Sequence, residues 1–312
     1  MTGGNSSPGS NRQGAAIEPA APEAQAEEEN APLGLVRLSL LALAVGLLTG
    51  FGAVFFRDLI GLIHNAAFLG RLAYHYDARI FTSPSPWGAF IILVPVAGSL
   101  VLTFLVNKFA PEARGHGVPE VMDAIYYQGG IIRPIVAVVK SVASALAIGT
   151  GAAVGREGPI IQIGSALGST LGQLIRMPAG QRIILVAAGA GAGIAATFNT
   201  PIGGVMFAIE LMMPEVSART FLPVAIATGL ATFIGQFFFG PQPAFSVPPL
   251  MPLSVDTSSA ILLCLYAALG VIVGLAATAF VRGLILLEDL FEHVPNRYLR
   301  HALGMALVGV LM

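Results

Sequence analysis

Charge is what this sequence has least of. Only 11% of its 312 residues are Asp, Glu, Lys or Arg, against about a quarter in an ordinary soluble domain. Sixteen basic and 17 acidic side chains leave a net charge of −1, so nothing favours a phosphate backbone and nucleic acid is excluded as a partner. Cysteine is nearly absent. Cys264 stands alone in the run ILLCLYAALG, so neither an internal disulfide nor a cysteine-based metal site can form. The histidines (64, 75, 116, 293 and 301) are too scattered to suggest a metal site. There is no G-x-x-x-x-G-K-[ST], no H-E-x-x-H and no G-x-S-x-G. Gly191-Ala192-Gly193-Ile194-Ala195-Ala196 formally satisfies G-x-G-x-x-G/A, but it lies inside an apolar helical run rather than after a strand, so it is no dinucleotide site. The expectation is a protein with no enzymatic activity, cofactor or metal.

Large apolar residues are missing from one stretch only. Residues 1–31 are rich in Gly, Ser, Pro, Ala and Glu and read as a disordered tail. They contain no basic segment followed by a short apolar core, so no cleaved signal peptide is expected. Everything after them is apolar. The whole chain is 55% hydrophobic, with a mean hydropathy of +0.79, and water cannot be the solvent for most of its surface.

A bilayer core is crossed by about 20 apolar residues of helix. Residues 34–56, 87–109, 219–240 and 259–281 are long enough, and 282–293 continue the last of these beyond the hydrocarbon. Residues 133–150, 160–176, 182–198, 202–213 and 301–312 form shorter candidates. The short ones cluster between Pro134 and Pro214, with Pro- and Gly-containing breaks between them instead of polar loops. Non-helical backbone survives at membrane depth only beside protein or a water-filled cavity. A run of interrupted helices therefore points to a transport pathway. Basic residues are spread along both expected sides and set no orientation.

Two of the breaks share a grammar. In Gly155-Arg156-Glu157-Gly158-Pro159, proline suits the first position of the following helix, and the glycines admit a ligand close to the backbone. A helix N-terminus offers unpaired N–H donors and partial positive charge, so it binds an anion without a full cation. Glu157 places a carboxylate where such an anion would sit, and a carboxylate at that depth is costly. An ion pair with Arg156 is the structural alternative, although adjacent residues do not face each other on a helix. Arg114-Gly115-His116-Gly117-Val118-Pro119-Glu120 repeats the pattern before the helix VPEVMDAIYY. Taken alone, His116 reads as a loop histidine, and Glu120 as a first-turn acid complementing the helix dipole. Asn199-Thr200-Pro201 is either a break beside the pathway or an ordinary helix cap. Gly164, Gly168 and Gly172 recur every four residues, a face for close helix packing without chemistry.

Three segments in this order, RGHGVPEVMDAI (114–125), GREGPIIQIGSALGS (155–169) and AATFNTPIGGVMFAIELMMPE (195–215), resemble the CLC chloride channels and proton-coupled chloride antiporters. The likeness runs over residues 34–312. It implies an all-α, polytopic, multi-pass protein of the cell membrane, plasma or inner. The implied fold is an inverted repeat of tilted, broken helices, with the membrane domain over 32–312. The first repeat covers about 34–240 and 259–312 begin a second, truncated one. The resemblance also implies a homodimer with a separate anion pore in each subunit. Glu157 matches the family's gating glutamate, and Gly155, Arg156, Gly158 and Pro159 match its loop. The implied anion-binding set is Gly115, His116, Gly117, Arg156, Gly158 and Pro159, with chloride the default among small anions.

Three features depart from the family. His116 stands where the family carries an anion-coordinating serine. The antiporters' paired glutamates are here Glu210-Leu211; the missing second one is the internal proton relay. Glu210 is the remaining candidate for a proton pathway, and channel-like conduction and proton-coupled antiport both stay open. The later G-x-F-x-P segment and pore-lining tyrosine have no counterpart in these 312 residues, so the chain is expected to be part of a CLC protein. A different class of reading is a non-conducting, half-length membrane subunit or scaffold of the same fold.

Overall fold

The computed structural model describes residues 32–76, 84–242 and 258–311, and the tail expected over 1–31 lies outside them. Among the described residues there are ten α-helices and no strand. They are α1 (Leu35–Leu69), α2 (Leu93–Phe109), α3 (Val118–Tyr127), α4 (Pro134–Gly149), α5 (Glu157–Leu174), α6 (Ala179–Phe198), α7 (Pro201–Phe207), α8 (Ala218–Phe239), α9 (Ser258–Glu292) and α10 (Arg297–Leu311). Short 3₁₀ turns precede α2 and α3, and a π turn (Ala208–Met212) extends α7. Five segments are long and apolar enough to cross a membrane, while α4 and the α7 segment are shorter apolar helices.

Small residues hold the bundle together. Lipid gives little hydrophobic drive for one helix to meet another, so van der Waals contact between close backbones takes over. A Cβ on Gly164 of α5 would overlap the Gly189 carbonyl of α6, and one on Gly189 would overlap the Gly164 carbonyl. Gly168 stands in the same relation to the Leu185 carbonyl, while Gly172 meets the Arg182 side chain. The four-residue glycine period is therefore the seam between α5 and α6. α6 is the central helix: residues 184–193 are buried almost without a break, packed by α1, α5 and α8. Gly191, from the rejected dinucleotide pattern, lies against the Gly204 carbonyl of α7.

Several boundaries differ from expectation for local reasons. α1 runs on to Leu69 through Arg57, Asp58, His64 and Asn65, because these polar residues fit a helix that closes on Gly70 at φ +64°. Asn199 does not cap α7. It ends α6 in the left-handed region at φ 55°, and its amide donates to the carbonyls of Pro241 (2.7 Å) and Gln242 (3.3 Å). Thr200 occupies the N-cap position of α7 without a side-chain capping bond. α9 packs closely on none of the other helices, and no residue of its most apolar stretch is buried. α10 returns to the bundle and packs along α2, where a Cβ on Gly309 would come within 2.8 Å of the Ile92 carbonyl.

Candidate anion site

The two glycine-flanked helix starts meet. A Cβ on Gly158 would overlap the His116 carbonyl oxygen, and one on Gly117 would overlap the Gly158 carbonyl. Only residues without a side chain let these backbones come so close. The N-termini of α3 and α5, separated in sequence by all of α4, are thereby fused at one wall of a cavity of about 930 Å³. Gly115, His116, Glu157, Gly158 and Pro159 all line it.

The start of α5 leaves donors for an anion, whereas that of α3 is partly taken up by its own acid. In α5 the first intrahelical bond runs from Ile160 N to the Arg156 carbonyl (3.2 Å), so the amides of Glu157 and Gly158 come before the ladder begins. Pro159 is the third residue of the helix rather than the first, since α5 starts at Glu157 with Arg156 as N-cap. Its missing N–H still falls in the first turn, where no intrahelical partner exists. In α3, Glu120 folds back and its carboxylate accepts the Gly117 N–H at 2.7 Å. That bond places an acid at the positive end of the helix dipole, the role anticipated for Glu120.

Among the described residues the Glu157 carboxylate makes no hydrogen bond or ion pair. The alternative pairing with Arg156 is therefore not found. The Arg156 guanidinium lies 5.7 Å from the centre of the Phe198 ring and does not line the cavity. Glu157 is exposed to the cavity, with its carboxylate curled over Gly155, where a Cβ would collide with it. The His116 imidazole is likewise exposed and without a hydrogen-bonding partner among the described residues. Gly117 sits behind the lining. Glu210 lies outside it, exposed on the π turn beside Leu211, which is 40% exposed.

Sequence reasoning missed Lys140. This lysine sits in the otherwise apolar α4, 4% exposed, and its Nζ donates to the carbonyls of Ala113 (2.9 Å) and Gly115 (3.0 Å). It tethers the loop that presents His116 and brings a basic side chain to the cavity wall. The signal was available, because an ionisable residue in a membrane helix is a functional candidate by default. Ser144, one turn further along the same face of α4, also reaches the cavity, with no bonding partner for its hydroxyl among the described residues.

Comparison with known proteins bears on family and fold. Residues 98–312 match the family described as voltage gated chloride channel. The chain is 33% identical over 273 residues to the H(+)/Cl(−) exchange transporter ClcA of Salmonella arizonae, covering 85% of this chain and 54% of that protein. ClcA of Citrobacter koseri is 34% identical over the same shares. The chain thus spans about half the length of the curated relatives it matches. Among solved structures, a slow cyanobacterial Cl−/H+ antiporter superposes with a TM-score of 0.73 at 25% identity, covering 88% of this chain and 63% of that one. A CLC-type fluoride/proton antiporter gives 0.69 at 23%, over 89% and 66%.

Proposed function

Because the chain belongs to the voltage gated chloride channel family, we propose that it carries a small monovalent anion, chloride by default, across a cell membrane, with Glu157 as the gate. The observation that carries this reading is the fusion of two glycine-flanked helix starts at the wall of a cavity that the unbonded Glu157 carboxylate also lines. An ionised carboxylate competes with the transported anion for the amides and the dipole of α5. Protonation removes that competition, and so does displacement of the side chain by an anion. The working assembly is a homodimer, each subunit holding its own path.

His116 bears on the choice of anion. A neutral imidazole donates one hydrogen bond and a protonated one adds a charge, so this chain recognises its anion differently from the family's serine. Proton coupling is the second open property. Leu211 cannot carry a proton, and Glu210 lies outside the cavity. We therefore favour anion movement without stoichiometric proton exchange, in contrast to the relatives and the cyanobacterial antiporter described as exchangers.

The test is anion efflux from chloride-loaded proteoliposomes, with Glu157→Gln beside the unsubstituted protein. The unsubstituted protein should show flux that rises as pH falls, and Glu157→Gln should give flux nearly independent of pH. Unchanged gating and pH response in the variant would remove Glu157 from the role. Absence of flux with dimers still formed would favour the non-conducting subunit.

A further inference from the structure

We propose that the first turn of α10, through Arg297, Arg300 and His301, forms a cationic antechamber that collects small anions and feeds them to the Glu157 site. The proposal rests on the reading of that site as an anion path, but it concerns a different element and a different step.

The three side chains fall at positions i, i+3 and i+4, so they share one face of the helix. All three line the same cavity as His116 and Glu157, although more than 135 residues separate them in sequence. What brings them there is the packing of α10 along α2, whose residues Thr103 and Asn107 line the adjoining wall. The charges of the lining are lopsided. Among the lining residues Arg114, Lys140, Arg297 and Arg300 are basic and Glu157 is the one acid, with Glu120 close enough to Lys140 to act on it electrostatically. A cleft lined by one sign of charge focuses the field and raises the local concentration of the opposite ion.

The arginines differ in their commitments. Arg300 is anchored: its Nε and Nη2 donate to the Val294 carbonyl at 3.2 and 2.9 Å, and Nη2 also reaches the Glu292 carbonyl at 3.2 Å. These bonds close the turn between α9 and α10 and fix where the guanidinium points. Two of the first-turn amides of α10 are met by Asn296, whose Oδ1 accepts from Tyr298 N at 2.9 Å and from Leu299 N at 3.4 Å, so the side chains supply most of the attraction. Arg297 makes no hydrogen bond or ion pair among the described residues and is exposed to the cavity.

Arg297 gives the clean experiment, because its replacement disturbs no bond. Chloride binding to the purified protein is measured by titration calorimetry at low and at high ionic strength, alongside the efflux assay. One unit charge at roughly 8 Å through water changes binding about two- to threefold. Arg297→Gln should raise the chloride dissociation constant by about that factor at low ionic strength, and Arg297→Glu by about four- to ninefold. Arg297→Lys should bind like the unsubstituted protein, and high ionic strength should shrink every difference. Unchanged binding in Arg297→Glu, or no chloride binding by the unsubstituted protein, overturns the antechamber. If binding depends on Arg297 while flux ignores Glu157, the antechamber stands and the gate fails.

Discussion

The meeting of two backbones at Gly158 makes a sharp claim about one hydrogen atom. Replacing glycine by alanine inside a helix ordinarily stabilises it by about 0.5–1 kcal/mol, since less backbone freedom is lost on folding. At Gly158 the added methyl would land on the His116 carbonyl oxygen. That atom belongs to a loop held from the other side by the bonds from Lys140, so it cannot simply rotate away. Overpacking of this kind costs about 1–3 kcal/mol. Gly229 of α8 is the matched control, because a Cβ there meets nothing within 4 Å. Gly229→Ala should therefore hold or raise stability and Gly158→Ala should lower it. The gap between them is about 1.5–4 kcal/mol when the two contributions are combined. The assay is thermal or denaturant unfolding of both variants in one detergent, followed by efflux from proteoliposomes. If the protein relaxes by parting the loops, stability recovers but the two helix starts no longer share an anion, and flux falls at every pH. A Gly158→Ala protein matching the unsubstituted one in both stability and flux would refute the close approach.

Two further outcomes follow from the same geometry. Lys140→Met removes the donor to the Ala113 and Gly115 carbonyls; leaving the buried Ala113 acceptor unmet costs about 1–3 kcal/mol. The variant should unfold earlier than the unsubstituted protein and bind chloride more weakly, while equal unfolding midpoints would show that the tether carries no weight. For Leu211, a chloride gradient imposed across proteoliposomes should drive little proton uptake; uptake at a fixed ratio to chloride would contradict the reading of this position as a broken relay.

Much of the fold was legible because lipid imposes a simple rule. Apolar length gave four of the five long segments, while α6, expected as a shorter helix over 182–198, begins at Ala179 and is long enough to cross. α3 and α4 end within a residue of where Pro, Gly and the apolar run place them. The extension of α1 to Leu69 was not legible by hydropathy, because Arg57 and Asp58 look like the end of a span when only apolar length is counted. The π turn at Glu210 was equally hidden. It begins at Ala208, where α7 packs on Gly191 of α6, a tertiary contact that the local sequence does not announce.

The candidate site divides along the same line. Its acid and its glycines were legible because their rule is local: glycine and proline around a charge mark a helix start wherever they occur. Its cations were not. Lys140 could have been flagged by its isolation in an apolar helix, but its carbonyl partners belong to another segment. Arg297 and Arg300 look in sequence like ordinary basic residues flanking a membrane helix, and only the return of α10 along α2 turns them toward Glu157. The electrostatics of the cavity is thus a property of topology. Motifs locate where an anion can touch the backbone, while distant elements decide how strongly the cavity attracts one. Two chains with identical glycine motifs and different first turns in α10 should therefore share the gate and differ in apparent chloride affinity, most clearly at low ionic strength.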